Sequence, residues 1–163
     1  MSISSSIDSN VPNYYESFMD FRFKVETQVK IRFSDTDAMG HCNNARMISY
    51  MEEGRVEYFK KLFPHVTRAN QFDLFPFILA EIQCSYKAPA FCNQLLIVSL
   101  GTTHIGTKSF TFEYDIYEAE SKQMVATGKS IQVMYDYKNN KTITIPQEIK
   151  EKINNIELNS NLD

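Results

Sequence analysis

Residues 23–33 alternate. Phe23, Val25, Thr27, Val29, Ile31 and Phe33 fall on one side, and Lys24, Glu26, Gln28, Lys30 and Arg32 on the other. This is the period of two of a half-buried strand. The period then changes. Across residues 44–63, Met47, Met51, Gly54, Tyr58 and Leu62 recur at helical spacing, with Ile48, Arg55 and Phe59 alongside. Gly54 lies on this apolar stripe. A glycine in mid-helix costs up to about 1 kcal/mol relative to alanine, and a close approach of the helix to a sheet accounts for its presence. Glu57 and Lys61 are spaced as an i,i+4 pair on the exposed face, and Pro64 stops the helix.

Residues 65–75 read as a connection, and four more strands follow. Residues 76–88 place Ile78, Ala80, Ile82, Cys84 and Tyr86 on one face. Residues 94–105 are more continuously apolar, through Leu95, Leu96, Ile97, Val98 and Leu100. Residues 108–119 set Phe110, Phe112, Tyr114 and Ile116 against Thr111, Glu113 and Asp115. Residues 123–137 set Val125, Thr127, Ile131, Val133 and Tyr135 against Gly128, Ser130, Gln132 and Asp136. Asn139-Asn140 reads as a turn, and Pro146 opens a last short helix over 147–156. The order β–α–β–β–β–β predicts an α+β fold, one long helix covered by a curved five-stranded antiparallel sheet.

Between the first strand and the helix lies a short polar segment with two carboxylates, Asp35 and Asp37. Their spacing points them to opposite sides if the chain is still extended. Gly40 permits a turn, and Asn43 or Asn44 suits the N-cap. An acidic side chain is thereby set beside a helix N-terminus, whose partial positive charge and unpaired donors suit an oxyanion or a polarised carbonyl.

Composition narrows the picture. A chain of 163 residues predicts one domain, here 14–156, between a Ser/Asn-rich leader at 1–13 and a polar tail at 157–163. Residues 14–21 are aromatic and suited to packing on that domain. A net charge of −3 gives no electrostatic case for nucleic acid. Cys42, Cys84 and Cys92 cannot all pair within the chain, nor do they form a zinc-like cluster, and no metal or cofactor is expected. Reduced thiols in a cytoplasmic setting are the plain reading. No apolar run is long enough to span a membrane. The N-terminus lacks a secretory pattern, and Asp8 with no Arg before Arg22 argues against a transit peptide.

The segment Asp35-Thr-Asp-Ala-Met-Gly-His-Cys-Asn-Asn-Ala-Arg46, preceded by Arg32-Phe33 and followed by Met51-Glu-Glu-Gly-Arg55, resembles the signature of the 4-hydroxybenzoyl-CoA thioesterase family of hotdog-fold acyl-CoA thioesterases. Tyr86-Lys-Ala-Pro-Ala90, Thr107-Lys-Ser-Phe110, Ala126-Thr-Gly-Lys129 and Ile145-Pro146 are similar to later family features, so the resemblance covers roughly 24–150. It departs at Cys92-Asn93, where family members often carry Gly-Asp. The altered turn puts substrate identity in doubt more than reaction type.

The resemblance implies hydrolysis of an acyl or aroyl thioester of coenzyme A (or of a carrier thiol), with no metal, in a homodimer or homotetramer with sites at the subunit interface. It makes Asp37 the catalytic carboxylate, as nucleophile or general base. His41 touches the thioester or orients Asp37, and the Asn44 N–H is the carbonyl donor. Asn43 is the side-chain cap and is grouped with Tyr86, Lys87, Lys108, Ser109 and Lys129 on the substrate side, the lysines facing coenzyme A phosphates. Asp35 is read as structural, bonding loop N–H groups in an Asx-type turn. Met47, Met51, Tyr58 and Phe59 are read as core, with one or two lining the acyl pocket. Rival readings are a non-catalytic acyl-thioester binding module and a hotdog dehydratase, in which a His pairs with a carboxylate. A metal-dependent transferase with Asp35 and Asp37 as a cation site is a third, opposed by the strand–Gly–helix context.

Overall fold

The computed structural model describes residues 22–65 and 76–158. The expected leader, the aromatic segment 14–21, most of the 65–75 connection and the end of the tail lie outside them. The described elements are β1 (Val25–Lys30), a 3-10 turn (Phe33–Asp35), α1 (Asn44–Leu62), β2 (Phe77–Tyr86), β3 (Leu95–Ile105), β4 (Ser109–Glu118), β5 (Met124–Asp136), β6 (Lys141–Thr142) and α2 (Gln147–Leu158). The sheet order is β1-β3-β4-β5-β2, with β6 paired to β5 and every pairing antiparallel. The five expected strands are present, and the two-residue β6 makes a sixth beyond the Asn139-Asn140 turn. Asn140 there has a φ of 50°, and the Asp136 carboxylate accepts from the N–H groups of Lys138 and Asn139.

The expected stripe on α1 is buried. Met47, Met51, Gly54, Tyr58 and Leu62 face the sheet, joined by Tyr50 and Arg55. Beneath them Leu96, Val98 and Leu100 of β3 are fully buried. A Cβ at Gly54 would lie 3.1 Å from Val98 Cγ1 and 3.2 Å from Leu100 Cδ2, so this glycine sets how near the helix lies. Phe110, Phe112 and Tyr114 of β4 continue the core, with Tyr58 edge-on to Phe112 at 4.6 Å between centroids. The C-terminal helix α2 buries Ile149 and Ile153. It is tied down by Glu157, whose Oε1 accepts from the Tyr58 hydroxyl at 2.6 Å and from the Thr102 N–H at 2.7 Å.

Several expectations are corrected. Phe33 leaves the alternating row and is 83% exposed, because the strand ends in the 3-10 turn. On β5 the inward row is Ala126, Gly128, Ser130, Gln132 and Met134, while Ile131, Val133 and Tyr135 are half-buried on the other face. At Gly128 a Cβ would overlap the terminal methyl of Met51 and lie 3.0 Å from the Gln83 carbonyl oxygen. Only a residue without a side chain fits there, and the period of two then turns Ser130 and Gln132 inward. Their polarity is satisfied internally: Ser130 shares a 2.7 Å hydrogen bond with the Tyr114 hydroxyl and accepts from Gln132 Nε2 at 3.1 Å. Ala80 is exposed at a register shift in β2. On α1, Glu57 pairs with Lys60 rather than Lys61.

The spacing at Gly54 yields a stability prediction. Gly54→Val forces the helix from β3 and costs about 1–3 kcal/mol, the usual range for overpacking, whereas Gly54→Ala costs less. Urea unfolding of both variants checks this, and an unchanged midpoint for Gly54→Val would contradict it.

Candidate active site

The segment joining β1 to α1 folds through local bonds. The Asp35 carboxylate is fully buried and accepts from the Arg32 backbone N–H at 3.0 Å, Arg32 Nε at 3.0 Å and Arg32 Nη2 at 3.1 Å. Arg46, in the first turn of α1, places its Nε 3.4 Å from Oδ1, the oxygen that also accepts from Arg32 Nη2. The Arg32 donors, side chain before backbone, together with the Tyr50 hydroxyl hold the Asp35 carboxyl down at about 2 despite burial. Thr36 then bonds back to the Phe33 carbonyl through both its N–H, at 3.1 Å, and its hydroxyl, at 2.7 Å.

Asp37 begins a tight turn. Its N–H donates to the His41 carbonyl at 2.9 Å, its carbonyl accepts from Gly40 at 3.0 Å, and its Oδ1 accepts from the Met39 N–H at 2.9 Å. Gly40 has a φ of 78°, a conformation that residues with a side chain resist. The Asx-type bond expected at Asp35 is thus made by Asp37, while Asp35 is structural through arginine donors. Asp37 remains half-buried.

The chain returns beside the corner after β2. The Cys42 N–H donates to the Ala90 carbonyl at 2.7 Å, and the His41 ring packs edge-on against Phe91 at 5.3 Å. Asn43 is the N-cap, its Oδ1 accepting from Ala45 at 2.9 Å, so Asn44 is the first helical residue. Among the described residues nothing accepts from the Asn44 N–H. The Tyr86 hydroxyl, from the end of β2, donates to the Asn44 carbonyl at 3.0 Å. The departure at Cys92-Asn93 forms a turn with Asn93 at a φ of 71°, and its N–H donates to Ile31 at 2.9 Å. Asn tolerates this conformation better than most residues.

Asp37, His41, Asn43, Asn44, Tyr86 and the neighbouring Lys87 therefore lie at one end of the sheet. Lys108 and Ser109 do not join them. They stand at the start of β4, whose ten residues span about 30 Å, and Lys108 Nζ contacts the Thr142 hydroxyl at 3.2 Å. Lys129 pairs with Glu113 in mid-sheet and is exposed on the face away from α1. Arg32, Arg46 and Tyr50 were not singled out from the sequence. The Arg32/Asp35 and Asn43/Arg46 spacings of three were the available signal. Cys42 is buried, its sulfur 3.8 Å from the Tyr50 hydroxyl, and burial pushes the thiol up, away from a reactive thiolate. Among the described residues no group of three or more His, Cys, Asp or Glu is placed to hold a metal ion. With Asp35 engaged by guanidinium donors, the two aspartates do not form the cation site that the transferase reading requires.

One long helix on a single antiparallel sheet, with a carboxylate turn leading into the helix, is a hotdog-fold arrangement. The description thioesterase-like superfamily matches residues 31–153, and the chain belongs to that family. Long-chain acyl-CoA thioesterase FadM of Escherichia coli is 28% identical over 131 residues, covering 79% of this chain and 96% of its own length. A 1,4-dihydroxy-2-naphthoyl-CoA hydrolase of Synechocystis is 27% identical, covering 77% of this chain and 89% of its own length. A Thermus thermophilus thioesterase, solved in complex with coenzyme A and zinc, superposes with a TM-score of 0.73 at 27% identity, over 83% of this chain and 95% of its own.

The Asp35 carboxyl also sets a dependence on acid. Its ionised form is favoured by folding, so its contribution to stability is full above about pH 4, the unfolded value being about 3.9. That contribution is lost as pH falls through about 2. Thermal midpoints of the wild type and Asp35→Asn between pH 5 and pH 2 are expected to converge toward acid. Parallel curves would show that the carboxylate is not linked to folding.

Proposed function

We propose that this protein hydrolyses an acyl or aroyl thioester of coenzyme A to the free acid and the thiol, with Asp37 as the reactive carboxylate. The observation that carries the reading is the turn itself: Asp37 has one oxygen anchored by the Met39 N–H, just before a helix whose first N–H, at Asn44, is unpartnered among the described residues. A carbonyl oxygen at that N–H gains the helix-end field as it becomes an oxyanion. Asp37 then either attacks the carbonyl carbon, expelling the thiolate and leaving an anhydride for water to open, or deprotonates the attacking water. His41 supports Asp37 through its main-chain carbonyl, its ring held against Phe91. Family membership supports thioester hydrolysis as the reaction class. The names of the relatives support coenzyme A as the thiol carrier. Among the described residues no helix is long and apolar enough to cross a membrane, and we place the enzyme in the cytoplasm.

The working form is a homodimer or homotetramer. β2 ends the sheet and is unpaired on its outer side among the described residues. An open edge favours another strand. Antiparallel pairing of β2 with a second copy of itself sets the Phe77 end of one against the Tyr86 end of the other. Met134 pairs with Phe77 and its N–H donates to the Lys108 carbonyl, so the second copy's Lys108–Ser109 end comes toward Asp37. Phe33, Met39 and Phe91, exposed by 83%, 75% and 45% near Asp37, add apolar surface for such contact.

Asp37→Asn keeps the shape and removes the charge. It is expected to lower kcat by at least about 10²-fold on a panel of acyl-CoAs, with thermal midpoint and coenzyme A affinity little changed. Near-wild-type turnover would dismiss Asp37, and a panel with no turnover by the wild type would favour a binding module. Sedimentation is expected to show no active 18.9 kDa species. An active monomer would overturn the shared site.

A further inference from the structure

The buried carboxylate of Asp35 is not used in the chemistry above, yet it is tied to the helix as well as to its own strand. Arg32 alone supplies three donors to it, one from the backbone, enough to satisfy and neutralise a single carboxylate. The contact from Arg46, at 3.4 Å, adds little neutralisation. What it adds is position. Residue 35 meets α1 through its carbonyl, which accepts from the Asn43 N–H at 2.8 Å, and through its carboxylate, which meets Arg46 and the Tyr50 hydroxyl. Asn43 and Arg46 are three apart and share one side of the first helical turn. A single attachment leaves the helix end free to pivot, whereas two on one side fix its direction and rotation.

The path from Asp35 to Asp37 is short and stiff. Thr36 is bonded twice to Phe33 and bridges to Cys42, and the Asp37 N–H is held by His41. Through this path the Asp37 turn and the first turn of α1 both connect to residue 35.

We propose that Asp35 and Arg46 are positioning residues for the reaction, their ion pair aligning the Asp37 turn with the N-terminus of α1. The inference rests on the reading of Asp37 and Asn44 given above. It separates Arg46 from Arg32: both touch the same carboxylate, but Arg46, like Tyr50, belongs to the helix that carries the carbonyl donor. Arg32 belongs to the strand side, and its backbone N–H keeps its bond to Asp35 whatever the side chain.

The test compares Arg46→Met, Arg46→Lys, Arg32→Met, Asp35→Asn and the double variant Asp35→Asn/Arg46→Met, assayed with one acyl-CoA well below each thermal midpoint. Arg46→Met and Asp35→Asn are expected to lose about 10- to 100-fold in kcat, the usual cost of a small misalignment, with KM and coenzyme A affinity little changed. The double variant is expected to be no worse than the weaker single, since both remove one contact. Arg46→Lys recovers most of the loss, because Arg46 uses a single point contact that an ammonium can reproduce. Arg32→Met lowers the thermal midpoint without a matching loss of kcat. The proposal is overturned if Arg46→Met keeps wild-type kcat, if KM rises instead, or if Arg32→Met and Arg46→Met behave alike. Arg46 is 44% exposed in its side chain, so its variants fold and decide the matter even if Asp35→Asn does not. Normal turnover by Asp37→Asn would instead remove the reading on which the inference rests, a result independent of Arg46.

Discussion

The structure depends on how close α1 can come to the sheet. A helix that buries one stripe against a single sheet gains most when the two backbones approach closely. Gly54 and Gly128 provide the space: the first meets Val98 and Leu100 of β3, and the second receives the end of Met51. With the helix fixed at this distance, Tyr58 reaches both Phe112 and Glu157, and α2 is anchored through the same hydroxyl. The middle of the helix is pinned to β3, and its first turn is held by its own bonds to the preceding segment. The polar segment between β1 and α1 must cover a set distance in a set direction, and its turn is shaped by that demand.

Much of this was legible in the chain. The alternation at residues 23–31, the stripe on α1, the aromatic row of β4 and the stop at Pro64 are each local patterns with one good structural solution. Gly54 on an apolar stripe pointed to close approach, and the structure contains it. The inward face of β5 was not legible. Ile131 and Val133 look like core residues and Ser130 and Gln132 do not, so hydrophobicity chose the wrong face. Gly128 on the inward face meets Met51, almost eighty residues away, and a hydroxyl from Tyr114 makes a buried serine tolerable. Neither is visible in a window of sequence along β5.

The site divides in the same way. Residues of one continuous segment, Asp37 through Asn44, were placed together by their spacing, and Tyr86 joins them through a hydrogen bond to the helix start. Lys108, Ser109 and Lys129 carried no such constraint. They lie on strands whose ends are fixed by sheet topology, and one protomer sets Lys108 and Ser109 at the far end from Asp37. A motif names residue types at a spacing; it does not fix where the sheet topology puts them.

Asp35 and Asp37 show how environment assigns roles to identical groups. They are two residues apart, across the extended Thr36 that links the 3-10 turn to the Gly40 turn, and one side chain is fully buried while the other is half-buried. The inward one is fully buried and must be satisfied, because an unpaired charge there costs several kcal/mol. Arginine donors satisfy it, and in doing so fill the lone pairs that chemistry would need. Among the described residues the outward one takes one N–H, from Met39, which fixes its orientation and leaves the second oxygen open. A carboxylate is useful as a nucleophile or base only while it is under-coordinated, so the better-bonded aspartate is the less reactive one. The same Gly40 turn that follows Asp37 also leads the segment to the Asn43 cap, where the helix begins. The Asp37 carboxylate and the Asn44 N–H thus stand at the two ends of one short segment, joined to the buried Asp35 through Thr36 and Asn43.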